Sequence, residues 1–293
     1  MSFDAKMREY IALVNEKLAE YVPQKENLQK SIYEAMRYSL MAGGKRIRPV
    51  LALAVCQMLG GDVEKALPYA CALDCIHTYS LIHDDLPCMD NDDMRRGKPT
   101  CHKAFDEATA LLAGDALLNR AFEIMSTYGT DNDCTVEVIK YVSNNSGTEG
   151  MIGGQVVDLM CEGDENVGEE TLRYIHRNKT GALISAAAMI GAICGNATDE
   201  EKAKIIEFSD NLGLAFQIKD DILDFIGDDE LLGKPTGSDE ENDKTTFVTL
   251  MGIEKAEEEL QRTTKAAKAA LSMFGAENEF LCSLADFLLK RNF

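Results

Sequence analysis

Residues 81 to 97, LIHDDLPCMDNDDMRRG, set Asp84, Asp85, Asp90, Asp92 and Asp93 close together and follow them with Arg95 and Arg96. So many like charges repel unless cations share the space. A second acidic run, QIKDDILDF at 217 to 225, holds Asp220, Asp221 and Asp224. Asp220 and Asp224 are four apart, so on a helix they share one face. Asp84 and Asp90 would point apart on an unbroken helix, but Pro87 ends the helix and lets the chain bring Asp90 back. A hard cation such as Mg²⁺ takes one or two carboxylates and completes its shell with water and phosphate. Acid pairs on two helices therefore suggest a Mg²⁺–phosphate site. A solvated acidic face is the plain alternative for QIKDDILDF alone. It explains the first cluster less well, because the apolar SLIH run leads straight into the acids.

Cations point the same way. In AGGKRIRPVLALAV, Lys45, Arg46 and Arg48 precede or open a helix that starts near Pro49. Basic side chains at a positive helix N-terminus make sense around a shared anion. Arg95 and Arg96 either balance the neighbouring acids or bind phosphate. Lys179-Thr180 in HRNKTGALIS and Lys234 in LGKPTG offer further contacts, or are loop and helix-end lysines. His77 stands two helical turns before Asp84, as a site residue or as a core histidine. No Ser-His-Asp set, Gly-rich nucleotide loop or Cys/His metal spacing is evident. Metal and phosphate ligands without a nucleophile suit a reaction that ionises a diphosphate.

The elements that must position these groups are helices. The 293 residues are 45% hydrophobic and 27% charged, with only six prolines, which favours a helical globular protein with a large core. A net charge of -20 argues against nucleic acid as a partner. Nine cysteines without paired spacing read as reduced thiols of a cytoplasmic protein. GALISAAAMIGAICG, 181 to 195, falls short of the roughly 20 residues that span a bilayer, so stable membrane insertion is not expected. Its small side chains suit close helix packing. Periodicity and punctuation predict helices over 3–18, 27–42, from Pro49, 63–86, 103–127, 131–160, 169–194, 199–226, 245–273 and 276–291. The reading is one all-α domain over 1–293, a single bundle of about ten helices.

In order along the chain, GGKRIRP, the DDxxxxD form of an aspartate-rich motif with DMRRGKPTCH after it, KTGAL, FQIKDDILD and GKPTGSDEENDKTT resemble the trans-isoprenyl diphosphate synthases. The bacterial short-chain farnesyl diphosphate synthases are the nearest group. The resemblance implies helices around a deep central cavity, a homodimer, isoprenyl diphosphates as small-molecule partners, and about three Mg²⁺ per site with Mn²⁺ as a substitute. It implies that Asp84, Asp85 and Asp90 hold two ions and Asp220 a third, with Asp221 and Asp224 in support. It gives isopentenyl diphosphate to Lys45, Arg48, His77 and Arg96. It gives the allylic diphosphate to Arg95, Lys179, Lys234 and Lys244, and the developing carbocation to Thr180 and Gln217. Without ligands, repulsion is expected to leave the loops 87–99 and 228–243 mobile. Many relatives read K-x-T-Y-P where this chain has Lys244-Thr245-Thr246-Phe247-Val248, so the aromatic stays and the proline is absent.

Chain length in this family is set just before the first motif, at Tyr79 and Ser80. Helix rise places Tyr79 roughly 7.5 Å below Asp84, with its ring leaning deeper. A bulky ring there resembles a floor that stops growth at farnesyl, C15. Tyr79 as an ordinary packed aromatic is the alternative. The expected activity is farnesyl diphosphate synthesis from isopentenyl with dimethylallyl and geranyl diphosphates. Geranylgeranyl diphosphate synthase is the alternative, and a class I terpene cyclase a more distant one.

Overall fold

The structure, a computed structural model, describes residues 2–129, 132–164, 166–226 and 245–290. Lys234 and Lys244, and the loop 228–243, lie outside the described residues. Among the described residues the chain is all-α apart from one short hairpin. In order it runs α1 (Phe3–Tyr21), α2 (Lys30–Leu40), α3 (Ile47–Met58), α4 (Val63–Asp84), the strands β1 (Met94–Arg95) and β2 (Lys98–Pro99), and α5 (Cys101–Ala104). Then come α6 (Glu107–Tyr128), α7 (Asn132–Ser146), α8 (Met151–Cys161), α9 (Glu169–Ile175), a π-helical turn (His176–Gly181), α10 (Ala182–Cys194) and α11 (Asp199–Ile226). The chain closes with α12 (Phe247–Met251), α13 (Ile253–Ala270), a 3₁₀ segment (Leu271–Asn278) and α14 (Glu279–Lys290).

Local chemistry explains where these elements start and stop. Asp62 caps α4 by accepting the Glu64 amide at 3.0 Å, and Asp106 caps α6 by accepting that of Thr109 at 2.8 Å. The Asp106 cap splits the expected helix 103–127. Gly147 to Gly150 split 131–160, and Gly252, at φ 83°, splits 245–273. The helix expected from Pro49 starts two residues earlier. Pro49 lies in its first turn, where its missing N–H has no intrahelical acceptor.

The hairpin was not foreseen. Two-residue strands carry no alternation to read. Its turn has Arg96 at φ 53° and Gly97 at φ 72°, the left-handed pair of a two-residue type I′ connection.

α10 is the axis of the bundle. All of its residues are buried, and it packs against α3, α4, α7 and α11. Its small side chains permit the close packing expected of them. A Cβ on Gly191 would stand 2.3 Å from the Ala52 carbonyl oxygen, so α3 approaches as near as backbone allows. Fully buried Leu51, Leu53, Ile76 and Leu117 belong to the same core, each stabilising the fold by roughly 2 kcal/mol. A smaller apolar cluster joins Leu172, Ile218, Ile222, Phe247 and Val248 beneath the second acidic run. Among the described residues no helix is long and apolar enough to cross a membrane, and all nine cysteines are free.

Candidate active site

α4 delivers the first acidic cluster. Asp84 is its last residue, and Pro87 follows one turn later. The Asp90 amide then donates to the Asp84 carbonyl oxygen at 2.9 Å, so the chain returns as the proline led us to expect. Burial pushes the Asp84 carboxyl up to about 6; Lys179 and Arg95 oppose the shift, while Asp90 and Asp85 add to it. Asp85 is buried and also raised by burial, against the pull of Arg95.

The loop 87–99 carries hydrogen bonds of its own. Thr100 donates its amide to the Asp93 carbonyl at 3.0 Å and its hydroxyl to that of Asp92 at 2.8 Å. The β-hairpin sends its two arginines to different partners. Arg95 donates from Nε to both Asp85 oxygens at 2.8 and 2.9 Å, and from Nη2 to Oδ1 at 2.6 Å. Arg96 donates to the Gly43 carbonyl oxygen. A Cβ on Gly44 would lie 2.8 Å from the Arg96 guanidinium, and Gly44 has φ 119°. The Gly43-Gly44 pair thus gives both the left-handed backbone and the room that Arg96 needs.

Of the cations before α3, Arg46 departs from expectation. Its side chain turns inward and is buried, donating to Asp74 Oδ2 at 2.7 Å, the Leu40 carbonyl at 2.7 Å and Asn15 Oδ1 at 3.0 Å. It belongs to the core. Arg48 reaches the site. Its Nε is covered and has no hydrogen-bond partner, and burial lowers its guanidinium to about 10. Asp74 on α4 and Asp220 on α11 counter that shift, so Arg48 senses both helices. His77 lies well below the usual histidine range through burial and through Arg48, Arg96 and Arg95. It is neutral at neutral pH. Lys45 is half-buried, its ammonium 5.9 Å from the Phe287 ring centre. A half-buried guanidinium with a covered, unused Nε donor, near a neutral imidazole and further arginines, is a ready cradle for an anion.

The π turn carries Lys179 and Thr180. One extra residue in a helical turn re-aims the side chains after it. Lys179 donates to Asp158 Oδ2 on α8 at 2.6 Å. A Cβ on Gly154 would stand 2.2 Å from the Lys179 amide nitrogen, so α8 lies against the turn. Asp158 and Gln155, whose Nε2 is buried without a hydrogen-bond partner, were not singled out from the sequence. The signal was there: GQVVDL puts both polar groups three apart in an apolar helix.

On α11, Asp220, Asp224 and Gln217 are half-buried, as is Thr180 on the turn. Asp221 is different. It is buried and accepts the Phe247 amide at 2.8 Å, with His176 Nε2 3.9 Å away. Tyr79 is buried and edge-on to His83, ring centres 5.7 Å apart. Its hydroxyl has no hydrogen-bond partner, and burial, then Asp84, pushes it up to about 12. Ser80 donates back to the His77 carbonyl at 2.9 Å.

Among the described residues no three His, Cys, Asp or Glu side chains converge into an all-protein metal cage. Paired carboxylates with cationic anion sites fit a hard divalent ion that takes its remaining ligands from phosphate and water. A small cleft lies beside Asp85, Arg95 and Arg96, its apolar wall including Leu81 and Ile82.

Comparison with known proteins agrees with this chemistry. The polyprenyl synthetase family model matches residues 29–274. A protein named geranylgeranyl pyrophosphate synthase, chloroplastic, from Capsicum annuum is 46% identical over 294 residues, covering 99% of this chain and 79% of that protein. The geranylgeranyl diphosphate synthase of Cyanophora paradoxa is 47% identical over 264 residues, 89% of this chain and 88% of that protein. The apo crystal structure of an FPP/GFPP synthase from Zymomonas mobilis superposes with a TM-score of 0.88 at 40% identity, covering 98% of each chain. The two curated relatives are named for geranylgeranyl diphosphate synthesis, whereas the sequence resemblance pointed first to farnesyl synthases. The chain belongs to the polyprenyl synthetase family, the divalent-metal-dependent trans-isoprenyl diphosphate synthases.

Proposed function

We propose that this protein elongates a short allylic diphosphate by condensing it with isopentenyl diphosphate, using Mg²⁺. The observation that carries the reading is the placing of Arg48, a half-buried cation whose covered Nε donor is unused, near enough to Asp74 on α4 and Asp220 on α11 for both to act on its charge. In this reading Asp84, Asp85 and Asp90 hold ions from one side, and Asp220 with Asp224 from the other, about three in all. Mn²⁺ is a workable substitute. Bound Mg²⁺ supplies charge that stabilises the departing diphosphate. Arg95 and Lys179, with Lys234 and Lys244, orient the allylic diphosphate so that its C–O bond breaks with the electron pair on the leaving oxygen. Lys45, Arg48, His77 and Arg96 hold isopentenyl diphosphate with its double bond toward the allylic cation. Thr180 and Gln217 turn oxygen dipoles toward that cation. A new carbon–carbon bond forms, and a proton leaves to the released diphosphate.

For the product, the relatives' names favour geranylgeranyl diphosphate, C20, over the farnesyl diphosphate placed first by the sequence. Farnesyl, C15, remains the second reading because of Tyr79, buried one and a half turns below Asp84. Incubation with Mg²⁺, isopentenyl diphosphate and geranyl diphosphate, followed by dephosphorylation, separates the two. Geranylgeraniol supports the first and farnesol the second, while cyclic hydrocarbons would move the protein to the cyclases. We also read the protein as a cytoplasmic homodimer, supported by its free thiols and its family; light scattering on the purified chain and cell fractionation test this.

A further inference from the structure

Three segments meet at Phe247. This residue opens α12, the first described helix after the second acidic run. Its ring lies edge-on to His176 of the π turn, centres 5.3 Å apart, and the Arg173 guanidinium carbon stands 5.1 Å from the ring centre. Its amide donates to Asp221 Oδ2 at 2.8 Å. Phe247 is fully buried in the apolar cluster with Leu172, Ile218 and Ile222. An amide in the first turn of a helix has no intrahelical acceptor, so Asp221 satisfies a donor that burial would otherwise leave unpaired. His176 Nε2 lies 3.9 Å from the same carboxylate oxygen.

A single carboxylate thus ties α11 to the returning chain, and the ring it helps to place rests against the turn that carries Lys179. Asp220 and Asp221 are adjacent on α11, so their side chains point in different directions: Asp221 turns to Phe247, while Asp220 lies near enough to Arg48 to act on its charge. We propose that Asp221 is a positioning residue rather than a metal ligand: its carboxylate holds the Phe247 amide and thereby sets Asp220 relative to Lys179. This rests on the condensation reading for the role of Asp220. The Phe247 ring fills the joint.

Neutral and charged side chains separate a joint from a ligand. Asparagine can still accept an amide hydrogen bond, but it is a poor Mg²⁺ ligand. The full chain is compared with Asp221→Ala, Asp221→Asn and Asp220→Asn, measuring kcat, the Mg²⁺ concentration at half-maximal rate, and the thermal midpoint. A misplaced site predicts kcat on the order of 10- to 100-fold lower for Asp221→Ala, with most of that loss restored in Asp221→Asn. Asp220→Asn is expected to raise the Mg²⁺ requirement without lowering the midpoint. A rise in Mg²⁺ requirement for Asp221→Asn as large as that for Asp220→Asn overturns the proposal. If the wild-type chain does not elongate, the condensation reading fails and the joint is judged by stability alone. A midpoint lowered in Asp221→Ala and recovered in Asp221→Asn then supports it, and equal losses in both overturn it.

Discussion

The guanidinium of Arg95 grips the carboxylate of Asp85 through contacts of 2.6, 2.8 and 2.9 Å. Two residues assigned to different partners, a metal and a diphosphate, thus hold each other when neither ligand is bound. A bidentate, partly buried pair of this kind competes with any cation that approaches Asp85. Arg95→Ala is therefore expected to tighten Mg²⁺ binding to the ligand-free protein. It should also raise the allylic diphosphate KM by roughly tenfold or more, the cost of one charge-assisted contact. Calorimetric Mg²⁺ titration and steady-state kinetics check the two effects.

Asp84 destabilises the metal-free fold above acidic pH. Its carboxyl is raised to about 6, so the folded state holds this proton more tightly than the unfolded chain does. The contribution favours folding below about pH 4 and is lost as pH rises toward 6. Asp84→Asn is expected to stabilise the ligand-free protein at pH 7 by about 1–2 kcal/mol after allowance for partial exposure. The same change should abolish most activity. Urea unfolding at pH 4 and pH 7 reads the difference between the two proteins, which should nearly vanish at the lower pH.

Arg46 and Asp74 form a buried pair at 2.7 Å. Removing one partner leaves the other charge buried, so Arg46→Met should cost about 3–5 kcal/mol of unfolding free energy. Arg46→Met combined with Asp74→Leu should recover more than half of it. Denaturant titration of the single and double variants measures this.

Tyr79 occupies a buried position with its hydroxyl unpartnered. If its ring is the floor of the chain cavity, Tyr79→Ala lengthens the main product by at least one C5 unit, whatever the wild-type length. An unchanged alcohol profile after dephosphorylation would make it an ordinary packed aromatic.

How much of this was legible in the sequence depended on the range of the signal. Periodic helices such as 199–226 could be read directly, because the acids of its first turn, Asp199, Glu200 and Glu201, and its apolar spacing act over a turn or two. Pro87 correctly announced the return of Asp90. The π turn at His176–Gly181 was hidden because one inserted residue barely disturbs apolar periodicity over so long a helical stretch. The inward turn of Arg46 depends on Asp74, a residue distant in the chain that lies on another helix. Asp158 went unnoticed because its partner Lys179 is likewise remote. Asp221 looked like its neighbours in QIKDDILDF, and only the fold reveals that it serves Phe247.

In the proposed reaction the acids that end α4 and those on α11 bring divalent metal to an allylic diphosphate so that isopentenyl diphosphate can add to it. Its most direct test is the rate at which labelled isopentenyl diphosphate enters extractable product, measured against Mg²⁺ concentration with geranyl diphosphate present. No incorporation is expected after chelation, and a rise to saturation as Mg²⁺ is restored. Incorporation that persists without divalent metal, or release of diphosphate from the allylic substrate with no isopentenyl incorporation at any Mg²⁺ concentration, would contradict it.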